Sequence, residues 1–119
     1  MSVILKRIYD EERNLGGHRI LVDGIWPRGI SKEQAEIDRW MKEISPSSEL
    51  RKWFNHDPEK FSEFKRRYKK ELSSQSDKKS SLDELRNLAD GNRVILLYGA
   101  KDEKHNHALV LKELLEQDD

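Results

Sequence analysis

Val94, Ile95, Leu96, Leu97 and Tyr98 form a run with no polar position, followed by a charged loop from Gly99 to His107 and then by apolar residues at helical spacing. A strand apolar at every position is covered on both faces, the habit of strands in parallel α/β sheets. In such sheets the loops beyond the strands' carboxyl ends carry ligand sites, often against a helix N-terminus. Two shorter runs predict two more strands. One is Val3 to Leu5 with Ile8 and Tyr9, interrupted by Lys6 and Arg7; the other is Ile20 to Val22. Asp10 to Gly17 is polar and ends in Gly16-Gly17, which reads as a turn or loop. The second strand stops at Asp23-Gly24, because Pro27 and Gly29 do not continue a regular strand.

Four helices are expected before the buried strand. Ser31 and Gln34 make a capping box ahead of Ile37, Trp40, Met41 and Ile44, which share a helical face, and Pro46 ends that helix. Ser47 caps a short second helix with Leu50, Trp53 and Phe54 on one side. Asp57-Pro58 opens a third, whose buried stripe is Phe61, Phe64, Tyr68 and Leu72. Ser73 to Ser81 holds five serines, two lysines, one aspartate and one glutamine, which reads as a mobile linker inside the domain. Ser81 and Glu84 then form another capping box, Leu82, Leu85, Leu88 and Ala89 bury the fourth helix, and Gly91 supplies its left-handed end. A fifth helix packs Val110, Leu111, Leu114 and Leu115, and the tail Gln117-Asp118-Asp119 frays. The expected fold is a single α/β domain over residues 1–119, a small mainly parallel three-stranded sheet covered by about five helices. A helical crossover makes the second and third strands parallel. The first pair fits a hairpin as well as a crossover.

Composition narrows the partners. Lys plus Arg and Asp plus Glu both total 23, so no global field steers the chain to nucleic acid or an anionic membrane. The basic run Lys65, Arg66, Arg67, Lys69, Lys70 reads as a solvated helix face rather than a nucleic-acid patch, since the aromatic residues there keep core spacing. Cysteine is absent, which excludes disulfides, thiolate catalysis and Cys-ligated zinc. No apolar run reaches the roughly 20 residues of a membrane span, and the N-terminus has no signal-peptide pattern, so no membrane partner and a cytoplasmic location are expected.

Candidate chemistry gathers in two loops. In Trp26-Pro27-Arg28-Gly29 a guanidinium held by proline, beside a glycine that admits a ligand to the backbone, suits capture of phosphate or carboxylate. The plainer reading is a rigid turn with Arg28 paired to Asp23. His105 and His107 are candidate acid and base or metal ligands. A metal would need a third ligand, for instance His56, Asp57, Asp102 or Glu103, and no recognised ligand spacing is present, so neither metal nor cofactor is assigned. The plainer reading is that these histidines cap the last helix or bond the Asp23–Gly29 loop. Asp57 is explained by capping, which leaves His56 open to a second role.

Three stretches carry a resemblance: Arg19 to Lys32 (RILVDGIWPRGISK), Glu49 to Pro58 (ELRKWFNHDP) and Leu96 to Ala108 (LLYGAKDEKHNHA). Together they resemble the YeaO-like bacterial proteins, within the group called domain of unknown function 488, in order and spacing over nearly the whole chain. The resemblance implies a small cytosolic protein of a functionally uncharacterised family. Members often have arginine where this chain has Gly24. More distant ones have cysteines at the places of Tyr98 and Asn106, so a thiol role does not carry over. Asp23, Pro27 and Arg28 in one loop match, as do Lys101, Asp102, His105 and His107 in the other. Distant members imply a parallel first pair with a shortened crossover.

The leading expectation is an enzyme or sensor whose site binds a small anionic ligand, a phosphate or nucleotide. Arg28 and Lys101 supply charge, the last helix supplies backbone donors, and His105 or His107 moves protons. Asp23, Trp26, Gly29, His56, Asp102 and Asn106 complete the expected ligand-binding set. The alternatives are a non-catalytic protein-interaction module anchored by Trp26 and Arg28, and nucleic-acid binding through Lys65 to Lys70. If the two strands are parallel, Arg28 and both histidines should line one shared cleft, with Asp23 orienting one of them.

Overall fold

The computed structural model describes residues 2–9 and 16–117. Its centre is the apolar run: β4 (Arg93–Tyr98) lies between β1 (Ser2–Arg7) and β2 (His18–Leu21), parallel to both. Val3 pairs with Val94, and Ile20 with Leu96. Lys6 and Arg7, expected to interrupt the first strand, stay in register opposite Leu97 and Tyr98. A two-residue β3 (Arg39–Trp40) adds a fourth, parallel strand outside β2. The first two strands are therefore co-directional, separated by β4, and no hairpin joins them. Most of the expected Asp10–Gly17 turn lies outside the described residues, as do Asp118 and Asp119 of the expected fraying tail.

Alternation along the strands divides the core. Val94, Leu96 and Tyr98 face one side with Val3, Ile20 and Val22, where they meet α2 (Ser48–Phe54), α3 (Phe61–Ser74), α4 (Ser76–Ala89) and α5 (His107–Gln117). Ile95, Leu97, Leu21 and Ile8 face the other side, covered by Ala35 of α1 (Lys32–Ala35) and by Trp26, Ile30, Ile37 and Trp40. Both faces are covered, one by helices and the other mainly by the chain between β2 and β3. Asp57 caps a 3-10 turn (Pro58–Lys60) that leads into α3, and Ser47 caps α2 through Leu50 N–H, as expected.

Two expectations are corrected. The first helix is one turn long: its Ser31–Gln34 capping box forms, but Glu36 enters the left-handed region and ends it. The helical spacing beyond it has another origin. Ile37 and Trp40 pack on one side of the sheet while Met41 and Ile44 pack on the other, because the chain crosses the sheet edge through β3 into a 3-10 turn (Lys42–Ile44). The serine-rich linker is helix. Only Gln75 breaks α3 from α4, and Ser81 and Glu84 lie inside α4 rather than at its start. Serine is a poor interior helix former because its hydroxyl competes for the backbone, yet burial of Lys78, Ser81, Leu82 and Leu85 overrides that preference.

Candidate functional site

Because β2 and β4 run parallel, their carboxyl ends open on the same side, and the loops after them meet. Val22 N–H continues the ladder to Leu97 O at 3.1 Å. One residue on, Asp23 Oδ2 accepts the Gly99 N–H at 2.8 Å. A side chain at position 99 would press on that oxygen, since a Cβ there would come within 3.1 Å of it. The Asp23 carbonyl accepts from Trp40 Nε1 at 2.8 Å, which ties the loop to β3.

The second loop is built around Asp102. Its Oδ1 accepts the N–H groups of Lys104 and His105 at 2.9 and 3.1 Å, and its Oδ2 lies 2.9 Å from His105 Nδ1. The Lys104 N–H, and then the His105 ring, hold the Asp102 carboxyl below its ordinary range. A carboxylate only accepts, so His105 Nδ1 carries a proton and Nε2 is left as the open nitrogen of the neutral ring. Asn106 is buried; its Nδ2 donates to Asp102 O and its Oδ1 accepts the Leu109 N–H, both at 2.9 Å, which caps α5. His107 opens that helix. Its Nε2 lies 2.9 Å from Val22 O and 3.3 Å from Asp23 Oδ1. A carbonyl also only accepts, so this nitrogen is the protonated one.

Between the loops and α2 lies a cavity of about 380 Å³. Asp23, His56, His105, Asn106 and His107 are in its wall, so the structure brings together residues from both loops and from the turn after α2. Phe54 and Phe64 line it, their rings stacked 4.3 Å apart, with Ile25, Pro46 and Ala100. His56 follows Asn55 in a second consecutive left-handed position, at φ +55°. Such a conformation is costly for a residue with a Cβ and clusters at functional sites.

The cation in this wall is Arg51, from α2. Its Nε is buried with no hydrogen-bond partner, and its guanidinium makes a single long contact, 3.3 Å to Ser48 Oγ. No carboxylate of the described residues pairs with it. Gly24 allows the approach: a Cβ there would meet Ser45 Oγ at 2.7 Å and Arg51 Cζ at 4.0 Å.

The expected shared cleft thus forms without Arg28. That side chain is exposed, outside the wall, and its carbonyl accepts from the Tyr9 hydroxyl at 3.1 Å. Lys101 is exposed and also outside the wall. Trp26 belongs to the core, donating to Ile30 O at 2.6 Å and meeting Trp40 edge-on. Gly29 takes a positive φ of +83° in its turn, and Asp102 supports His105 from behind the wall. Arg51 and Ser45 were missed. An arginine beside the buried Leu50 on a short helix was the available sign. No group of three or more His, Cys, Asp or Glu among the described residues could hold a metal ion. Three of the five residues of the basic run are paired with acids: Glu63 accepts from Arg66 and Arg67, which hold its carboxyl down to about 2, and Lys65 pairs with Glu113 at 2.9 Å.

The family model described as the inactive DUF488-N3 subclade matches residues 2–118. The chain is 41% identical to "Uncharacterized protein YeaO" of Escherichia coli over 115 residues, 97% of each chain. It is 39% identical to "Uncharacterized protein Rv3073c" of Mycobacterium tuberculosis, over 95% of this chain and 92% of that one. No solved structure matches it significantly.

Proposed function

This chain belongs to the family described as the inactive DUF488-N3 subclade, and from that premise we propose that its cavity binds a small anionic ligand and senses it rather than converting it. The observation that carries this reading is Arg51, a half-buried guanidinium on a cavity wall with no carboxylate partner among the described residues. Burying the Nε of a guanidinium without a partner costs free energy, and a bound anion recovers it through paired, charge-assisted hydrogen bonds. Asp23 does not compete for Arg51. Its Oδ2 is turned to the Gly99 N–H, and its Oδ1 is buried beside His107.

His105 and His107 each commit one nitrogen to a protein acceptor, which leaves each ring only one to meet a ligand and fixes its orientation. The description of the subclade as inactive favours binding over turnover. A cytoplasmic setting, expected from the sequence, suits a sensor of small metabolites. The test is a thermal-shift comparison of inorganic phosphate, acetate and adenosine monophosphate on the native chain and Arg51→Gln. An anion at a hundredfold its dissociation constant should stabilise the native chain by about 2.7 kcal/mol and the variant by far less. Equal shifts in both proteins, or no shift with any anion, would refute the reading.

A further inference from the structure

We infer that the occupant of this cavity is an organic anion with a flat apolar body, an aromatic carboxylate or phosphate ester, rather than a free inorganic ion; this rests on the anion-binding reading of Arg51. Volume is the first argument. A cavity of about 380 Å³ lies within the range of organic-ligand pockets, roughly 300 to 1,000 Å³, whereas a water occupies about 30 Å³ of liquid. An inorganic oxyanion beside Arg51 would leave most of that space to water against apolar walls.

The walls are the second argument. Besides the polar groups, Ile25, Pro46, Phe54 and Phe64 line the cavity. Ile25 is 66% exposed, one of two large apolar side chains left open among the described residues, and it sits at this cavity. An exposed branched side chain at the rim of a cavity gains by being covered. His56 adds a planar ring to the same lining, 6.5 Å from the Phe54 ring, on a left-handed backbone. Flat ligands pack against such rings with the geometry aromatic pairs prefer. The guanidinium then meets the charged end of a molecule whose body lies over Ile25 and beside His56.

Isothermal titration with phenyl phosphate, benzoate, inorganic phosphate, acetate and neutral benzyl alcohol tests this on the full chain. Phenyl phosphate or benzoate should bind at least about tenfold more tightly than its inorganic or aliphatic counterpart, a difference of about 1.4 kcal/mol. Which aromatic anion wins separates a carboxylate ligand from a phosphate one. Ile25→Ser, at an exposed position that folding does not depend on, should shrink the aromatic advantage and leave acetate and phosphate unchanged. If inorganic phosphate or acetate matches its aromatic counterpart, or Ile25→Ser changes nothing, this inference falls while the anion site stands. If benzyl alcohol binds as well as benzoate, the anion reading falls. If no probe binds, both fall.

Discussion

His107 Nε2, at the start of α5, lies 3.3 Å from Asp23 Oδ1, just beyond β2, while Asp23 Oδ2 takes the N–H of Gly99 after β4. One carboxylate thus joins the two loops that make the cavity. Only 14% of the His107 side chain and 22% of the Asp23 side chain is exposed, so solvent screens the pair weakly. Asp23→Ala should cost about 1 to 3 kcal/mol, because the Gly99 N–H loses its acceptor. In a double-mutant cycle with His107→Ala, read by urea denaturation, the two losses should fall short of additivity by at least about 0.5 kcal/mol. Strict additivity would mean that the two residues do not support one another.

Lys78 forecasts a structural effect that reaches the site. Its Nζ, buried in α4, donates to Ser45 O at 2.6 Å and Glu43 O at 3.3 Å, and so holds the turn that brings Ser45 and Pro46 to the cavity. Hydrogen bonds from a charged donor contribute about 1.5 to 3 kcal/mol each. Lys78→Met keeps the packing of the stem and removes the donor. It should lower stability by an amount of that order and weaken anion binding as the turn loosens. An unchanged denaturation midpoint would show that water replaces the ammonium.

These residues also mark where a single sequence is readable. Val94 to Tyr98 is legible because five apolar positions in a row have one explanation, and Asp23 and His107 followed from it, since parallel strands end together. The segment around Lys78 was illegible because serine and lysine composition is the same in a linker and on a helix whose burial is decided by distant partners, here Glu43 and Ser45. Ile37 to Ile44 misled for a related reason: helical spacing also arises when a chain crosses a sheet edge and feeds apolar residues to both faces in turn. Arg51 reads like any helical arginine until tertiary packing removes its partners. Arg28 stood out because it follows a strand's end between proline and glycine in a matched motif, signals that do not say where the side chain points.

Tyr68 predicts an alkaline dependence. Its hydroxyl donates to Ile44 O at 2.5 Å in the core, and burial first, then the charges of Glu71 and Asp23, pushes its pKa well above the ordinary 10. In the unfolded chain the phenol ionises near that ordinary value while the folded one keeps its proton. Above about pH 10 the unfolded state therefore binds fewer protons and stability falls with rising pH. Tyr68→Phe should be less stable than the native chain at pH 7, by about 0.5 to 1.5 kcal/mol for the lost hydrogen bond. The gap should narrow as pH climbs past 10. A constant gap from pH 8 to 11 would contradict the assignment.

Arg28 and Arg51 separate the two readings of the cation most directly. Arg28 is exposed and its side chain makes no hydrogen bond or ion pair with the described residues, so Arg28→Ala should change stability by no more than about 0.5 kcal/mol and leave anion affinity intact. Arg51 is different in kind. Its Nε is buried with no partner, and no carboxylate of the described residues pairs with the half-buried guanidinium. Truncating a group that serves a ligand rather than the fold commonly leaves stability unchanged or raises it. Arg51→Gln should therefore melt at or above the native temperature when no anion is present, and below it once a binding anion is saturating on the native chain. The measurement is a pair of melting curves for each of the three proteins, with and without that anion. A large loss of stability in anion-free Arg51→Gln would mean that the guanidinium holds the fold together, and a binding defect in Arg28→Ala would move the anion site out of the cavity.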